Sequence, residues 1–221
     1  MEHGCWTATR RQALAGIGTS AVMTLLPFGA GARATAPEDV NFVVYRDDDE
    51  IGGHQVRFAR RGERLQVDIE VQFDVTFGFI PLYSYRHSNR ELWQGERLIE
   101  LEARTDDDGT EHWVKAETEG DRMIVTSSAG RLELPGDTVS TSYWNEAMLA
   151  GGAWLDTQSG RLVQSQVEVH PPEQIQARNQ VVMAKRYVLN GDIDCELWYH
   201  QGHWVKLRFE ASDGSIIDYR A

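Results

Sequence analysis

Tyr83, Tyr85, His87, Asn89, Glu91 and Trp93 occupy every second position of one stretch, so an extended chain would carry all six side chains on one face. The set mixes a titratable base, a carboxyl group, an amide and three aromatic rings. Such a face suits the wall of a ligand pocket, with Tyr83, Tyr85 and His87 as its surface, and it also offers His87 and Glu91 as an acid/base pair. Two plainer roles fit the same spacing. The stretch could be an edge strand solvated on both sides, or a buried ladder closed by salt bridges from Arg86 and Arg90.

His54 is the next candidate. It alternates with Val56 and Phe58, which puts it on an apolar face, where burial and one hydrogen-bond partner would keep an imidazole neutral. The alternative is a catalytic group acting with His87 and Glu91. Ser142-Tyr143-Trp144-Asn145 brings two large rings together; these plug one end of a curled sheet, or Trp144 stacks on a bound ligand. Metal chemistry fits poorly. His200 and His203 flank a turn with only Asp192 and Asp194 nearby, short of the three or four protein ligands of a zinc site. Asp106-Asp107-Asp108-Gly109 is too short for a calcium loop. No G-x-S-x-G, phosphate loop or H-E-x-x-H occurs, and no cofactor is expected.

The elements that must position these residues are strands. Leu65, Val67, Ile69, Val71, Phe73, Val75, Phe77 and Phe79 alternate with polar residues or glycine, the pattern of a sheet with one buried face. A straight strand of that length would run about 50 Å, so it must curl or break, and Gly78 and Pro81 mark the places. A hairpin at Arg61-Gly62 pairing Phe58 with Leu65, Val56 with Val67 and His54 with Ile69 keeps His54 inside. Around Gln201-Gly202-His203, setting Ile193, Cys195, Leu197 and Tyr199 against Ala211, Phe209, Leu207 and Val205 puts every apolar residue on one side. The same register faces Glu196 with Arg208 as an ion pair and Trp198 with Lys206 as a cation-π contact.

Turns are signalled by Gly and Asp at Asp47-Asp48-Asp49, Gln94-Gly95, Asp106 to Gly109, Glu119-Gly120-Asp121, Asn190-Gly191 and Asp213-Gly214. One helix is expected over residues 141–149, capped by Thr141 or Ser142 and ended by Gly151-Gly152. Pro171-Pro172 reads as a corner between strands, and no second hydrophobic core is evident. The expected fold is all-β: a strongly curled antiparallel sheet or incomplete β-barrel of about ten strands, with that one short helix.

At the N-terminus, Arg10-Arg11 precede a Gly-interrupted apolar stretch, and Ala32-Arg33-Ala34 and Ala34-Thr35-Ala36 offer cleavage sites. Residues 1–36 therefore read as a twin-arginine-type signal peptide and 37–221 as one domain, periplasmic or secreted. A retained membrane anchor is the alternative, but Pro27, Gly29 and Gly31 cut the apolar run below the roughly 18 residues of a spanning helix. After cleavage the protein would not span a membrane. Cys5 would leave with the signal, so Cys195 could form no intramolecular disulfide, and it reads as an inert buried thiol. The chain carries 22 basic against 34 acidic residues, a net charge of -12, which excludes nucleic acid as a partner because phosphate binding needs excess Lys and Arg.

Ile51-Gly-Gly-His54, the run from Phe79 to Trp93, Ser142-Tyr-Trp-Asn145, Trp198-Tyr199, Phe209-Glu-Ala-Ser-Asp-Gly-Ser215 and Tyr219 together resemble a bacterial exported family of no known function, domain of unknown function family 6134. The resemblance spans nearly the whole mature chain. It implies export and brings no reaction, cofactor or catalytic residue. In plan alone, the chain is also similar to periplasmic lipid and lipoprotein carriers, whose curled sheet encloses an apolar cavity. A binding or carrier module for an apolar or amphipathic, lipid-like small molecule is the leading expectation. An enzyme using His54, His87 and Glu91 and a structural envelope protein are the alternatives.

Overall fold

A computed structural model of the chain describes residues 36–221. Residues 1–35, which hold Arg10-Arg11 and the apolar stretch of the expected signal, lie outside the described residues. Fourteen strands follow one another: β1 Val40–Arg46, β2 Asp49–Arg61, β3 Arg64–Phe77, β4 Ile80–Gln94, β5 Arg97–Asp107, β6 Thr110–Glu119, β7 Arg122–Ser127, β8 Gly130–Pro135, β9 Ala153–Leu155, β10 Leu162–Ala177, β11 Gln180–Gly191, β12 Cys195–His200, β13 His203–Glu210 and β14 Ile216–Arg220. They form one antiparallel sheet in the order β8-β7-β6-β5-β4-β3-β2-β1-β14-β13-β12-β11-β10-β9. Two meanders thus meet where β1 pairs with β14, and the sheet stays open between β8 and β9.

The period-two pattern explains the layering. Leu65, Val67, Ile69 and Val71 of β3 and Leu98, Leu101 and Ala103 of β5 are buried, while Gln66, Asp68 and Glu70 face outward. One apolar face must be covered, and with no long helix among the described residues to do so the sheet curls on itself. Bulges at Val44/Tyr45, Val75/Thr76, Leu92/Trp93, His170/Glu173 and Trp198/Tyr199 supply the bending. Gly52 supplies more. Its φ is 153°, and a Cβ there would sit 1.9 Å from the Gln72 carbonyl oxygen, so only glycine lets β2 cross β3 this closely.

The segment between β8 and β9 folds over the open seam. Thr141 N–H donates to Leu155 O at 3.0 Å, and Trp154 Nε1 donates to Met148 O at 2.8 Å. Gly160, at φ 74°, lies so close to Ser127 that an added Cβ would be 2.5 Å from the serine Cβ. No helix of the described residues is long and apolar enough to cross a membrane.

Several local expectations are corrected. The helix expected over 141–149 is a single 3-10 turn, Glu146–Ala150, capped by Asn145, whose side chain accepts from Ala147 N–H. It starts late because Thr141 and Ser142 are committed elsewhere and Tyr143 takes φ 60°, which a right-handed helix excludes. The first hairpin turns one residue later than expected, around Gly62-Glu63 with Arg61 opposite Arg64, so His54 faces Val71, Val56 faces Ile69 and Phe58 faces Val67. The slip is two residues, and a slip of two preserves the face.

Phe79 is fully exposed at the β3–β4 turn beside Ile80 and Leu82, because the strand ends at Phe77 and Gly78 turns at φ 62°. Pro171-Pro172 lies within β10, at its bulge. In the β12–β13 hairpin, Leu197 faces Leu207 and Trp198 faces Lys206 as expected, but the bulge brings Trp204 opposite Tyr199. Lys206 Nζ stands 5.3 Å from the Trp198 ring, whereas Glu196 pairs with Arg186 at 2.7 Å instead of Arg208. A second, small apolar cluster does exist: Ala177, Ala184, Trp198 and Val205, formed where the long β10–β11 hairpin packs against β12 and β13. Trp198 Nε1 donates to Glu173 Oε1 there, at 2.6 Å.

Candidate functional site

Curling leaves the inner face incompletely filled. A cavity of about 860 Å3 runs inside the sheet, walled by Ile69, Val71 and Phe73 of β3, Leu207 and Phe209 of β13, and the Tyr219 ring of β14. That volume falls in the range that accepts a small organic ligand. Of the sequence candidates, His54, Tyr83, Tyr85 and His87 all border it, together with Asn89. Tyr83 is half-buried and donates its hydroxyl to Asp107 Oδ1 at 2.7 Å. Tyr85 is buried, its ring stacked on Phe73 at 5.5 Å and on His87 at 6.3 Å. Burial raises both phenols above their ordinary range.

His87 shares hydrogen bonds with two threonines, Nδ1 to Thr105 Oγ1 at 2.8 Å and Nε2 to Thr157 Oγ1 at 3.4 Å. Desolvation lowers its pKa to about 4, against an opposing pull from Asp156, so the ring is neutral at pH 7. His54 sits among the rings of Phe42, Trp204 and Tyr219 at 6.2, 5.1 and 5.7 Å. Neither of its nitrogens has a hydrogen-bond partner among the described residues. Burial, with a smaller contribution from His87, lowers its pKa to about 3.

Glu91 and Trp144 do not border the cavity. Glu91 is wholly buried beyond its inner end and accepts from five donors: Asn89 Nδ2 (2.9 Å), Trp93 Nε1 (2.8 Å), Ser140 Oγ (2.6 Å), Ser142 Oγ (3.3 Å) and Trp144 Nε1 (3.3 Å). Trp144 packs on Phe58 and Trp93, each at 5.3 Å. It is part of a plug, and the residues 140–144 that carry it are tied to β4 by this one carboxyl group. His87 and Glu91 therefore form no acid/base pair. Four positions apart on a strand, their Cα atoms are separated by about 13 Å, and each is satisfied by its own partners.

Residues that strand periodicity did not single out complete the site. Tyr143 and Trp204 border the cavity, their rings 5.9 Å apart, and the Tyr199 hydroxyl donates to Tyr143 O at 2.5 Å to hold the positive-φ turn. Arg46, Asp107, Asp156, Asp192, Asp194 and Asp213 border the opening. They come from five odd-to-even turns, β1–β2, β5–β6, β9–β10, β11–β12 and β13–β14, which an antiparallel sheet delivers to one end; counting turns from the N-terminus would have found them. His200 and His203 face each other across the β12–β13 turn, at the other end of their strands from Asp192 and Asp194. Among the described residues no three His, Cys, Asp or Glu side chains converge as a metal site. Cys195 is buried at the cavity wall, its thiol pushed up to about 12 by desolvation.

A beta-barrel-like protein of domain of unknown function DUF1849 from Brucella abortus, known from its crystal structure, shares the fold with a TM-score of 0.58. Its sequence is 12% identical, and the match covers 82% of this chain and 94% of that one. No curated protein matches the chain. The run from residue 42 to residue 221, from the first strand bordering His54 to the last residue beyond Tyr219, matches the family described as Domain of unknown function (DUF6134), and the chain belongs to that family.

Proposed function

We propose that the protein is exported and acts as a carrier or binding module for an apolar or amphipathic small molecule. The observation that carries this reading is the cavity. About 860 Å3 of space is walled on its inner face mainly by aliphatic and aromatic side chains, with polar side chains also in its lining, in a domain where Trp93 and Trp144 pack together as a plug. An apolar surface of that extent is costly to leave in water, and an apolar ligand offsets the cost. The export signal in residues 1–36 supports a site of action outside the cytoplasm.

Titration with an uncharged, environment-sensitive naphthylamine probe tests the carrier reading. Saturable binding well below millimolar concentration is expected, and Tyr85→Ala should weaken it about tenfold, because the variant removes an aromatic wall worth on the order of 1–3 kcal/mol. Absence of saturable binding to the wild type would overturn the reading.

A further inference from the structure

We propose that the tip of the β3–β4 hairpin docks on a lipid bilayer, seating Phe79, Ile80 and Leu82 among uncharged or zwitterionic headgroups. The eleven residues from Val75 to Tyr85 hold no Asp, Glu, Lys, Arg or His, in a chain whose residues are 25% charged. Asp74 and Arg86 bound the run and pair with each other at 2.8 Å. Such a run would ordinarily lie in a core. Here Phe79 is fully exposed, and Ile80 and Leu82 are 61% and 58% exposed.

Strand pairing explains the exposure. β2 accompanies β3 only as far as Phe73, opposite Gly52, and β5 meets β4 only from Tyr85, opposite Asp107. Between these limits, among the described residues, the two strands pair only with each other, Val75 with Tyr83, Thr76 with Pro81 and Phe77 with Ile80. At about 3.3 Å per residue, a two-stranded ribbon stands roughly 15 Å clear of the pairing with its neighbours.

Size and charge select the occupant. The three side chains expose on the order of 400 Å2, about half of what each side of a stable protein complex buries, and a tip two strands wide offers no flat surface on which to extend it. A bilayer needs no matching surface, since headgroups and acyl chains close around a narrow apolar prong. Charge narrows the choice of lipid. At the base of the ribbon Asp108 N–H donates to Ser84 O at 2.9 Å, which sets the exposed Asp106, Asp107 and Asp108 beside it. These carboxylates repel an anionic leaflet. Leu82 and Tyr83 also line the cavity, so docking at the tip brings the cavity wall to a source of apolar molecules. Bilayer docking and cavity binding remain separable properties: the first is measured on vesicles without the naphthylamine probe, and either can fail alone.

The test places a nitrobenzoxadiazole fluorophore at Thr76→Cys, exposed on the ribbon, in the full chain with Cys5→Ser. Cys195 is buried and stays unlabelled. A label at Glu96→Cys, in the exposed β4–β5 turn at the other end of β4, is the control. With phosphatidylcholine vesicles the emission from the Thr76→Cys label should rise at least twofold and move to shorter wavelength, while that from Glu96→Cys stays unchanged. Adding Phe79→Ser/Ile80→Ser should raise the lipid concentration at half-maximal response about tenfold. Replacing about a third of the lipid by phosphatidylglycerol should weaken the response at low salt, where charges are least screened. An unchanged spectrum from the Thr76→Cys label, an equal rise from the control, or a titration indifferent to the two serines would sink the bilayer assignment. A blue shift that follows protein concentration without lipid would give the tip to a second copy of the chain instead, and tighter binding to the anionic vesicles would overturn the choice of a neutral surface.

Discussion

Trp93 donates its indole N–H to Glu91 Oε2 at 2.8 Å from two positions along the same strand face. With Asn89, Ser140, Ser142 and Trp144 it makes Glu91 the point at which β4 grips the plug. Glu91→Gln would set an amide NH2 against groups that are themselves donors. A loss of about 2–4 kcal/mol of stability is expected, read as a lower urea midpoint. A change under about 0.5 kcal/mol would show that the five contacts do not hold the plug.

His54 and His87 set an acid limit. Their folded pKa values of about 3 and about 4 lie below the ordinary 6.5, so between those values the unfolded chain binds more protons than the folded one. Stability is complete above about pH 6.5 and falls as the pH drops toward 4, by a total on the order of a few kcal/mol. Replacing His54 by Phe, at home among Phe42, Trp204 and Tyr219, should flatten part of that fall. Thermal melts at pH 7.5, 5.5 and 4.5 measure it, and parallel curves for wild type and variant would refute the assignment.

Tyr85 and Trp144 should separate binding from stability. Trp144→Ala removes packing on Phe58 and Trp93 and should cost about 3–5 kcal/mol of stability. Any effect on probe affinity should be small among the molecules still folded. Tyr85→Ala, whose buried ring is stacked on Phe73 and His87 and also borders the cavity, should cost stability too but in addition weaken probe affinity in the molecules still folded. Melting curves beside probe titrations would expose an exchange of the two roles.

At Gly52 a methyl group has nowhere to go, with the Gln72 carbonyl 1.9 Å from its position. Gly52→Ala should abolish soluble expression or shift the melting temperature by tens of degrees. Gly62→Ala, at φ 66° with open space around it, should cost only about 1 kcal/mol. Similar melting temperatures for the two would mean that β2 and β3 can separate freely at Gly52.

Export has its own test. If the twin-arginine route is used, changing Arg10 and Arg11 together to Lys should stop appearance of the mature form while synthesis continues, because the receptor reads guanidinium groups and not charge alone. Fractionation and blotting decide it, and undiminished secretion would assign the chain to another pathway.

Strand alternation carried the inner wall from sequence to structure. Tyr83, Tyr85, His87 and Asn89 line the cavity because even spacing on a strand can only put them together. The same rule failed for Glu91 and Trp144, since a face runs past the cavity into the plug and periodicity has no depth coordinate. Tyr143 was read as the start of a helix because local propensity does not register the Tyr199 hydroxyl, a contact 56 residues away, that holds its carbonyl. The rim aspartates each appeared as an ordinary turn residue. Only the antiparallel path, which returns every second turn to one end, makes them neighbours.

Arg46 and Ser215, joined by a 3.0 Å hydrogen bond across the β1 and β14 turns, are 169 positions apart. Closing a chain segment of that length costs roughly 4–5 kcal/mol in loop entropy, whereas every other strand pair from β1 to β8 and from β10 to β14 joins neighbours along the chain. The two meanders can form early, and their union must come late. Until it does, β1 and β14 each present a free edge of matched register. At high protein concentration the β14 edge of one molecule can find the β1 edge of another before its own, so refolding should yield exchanged dimers in proportion to concentration.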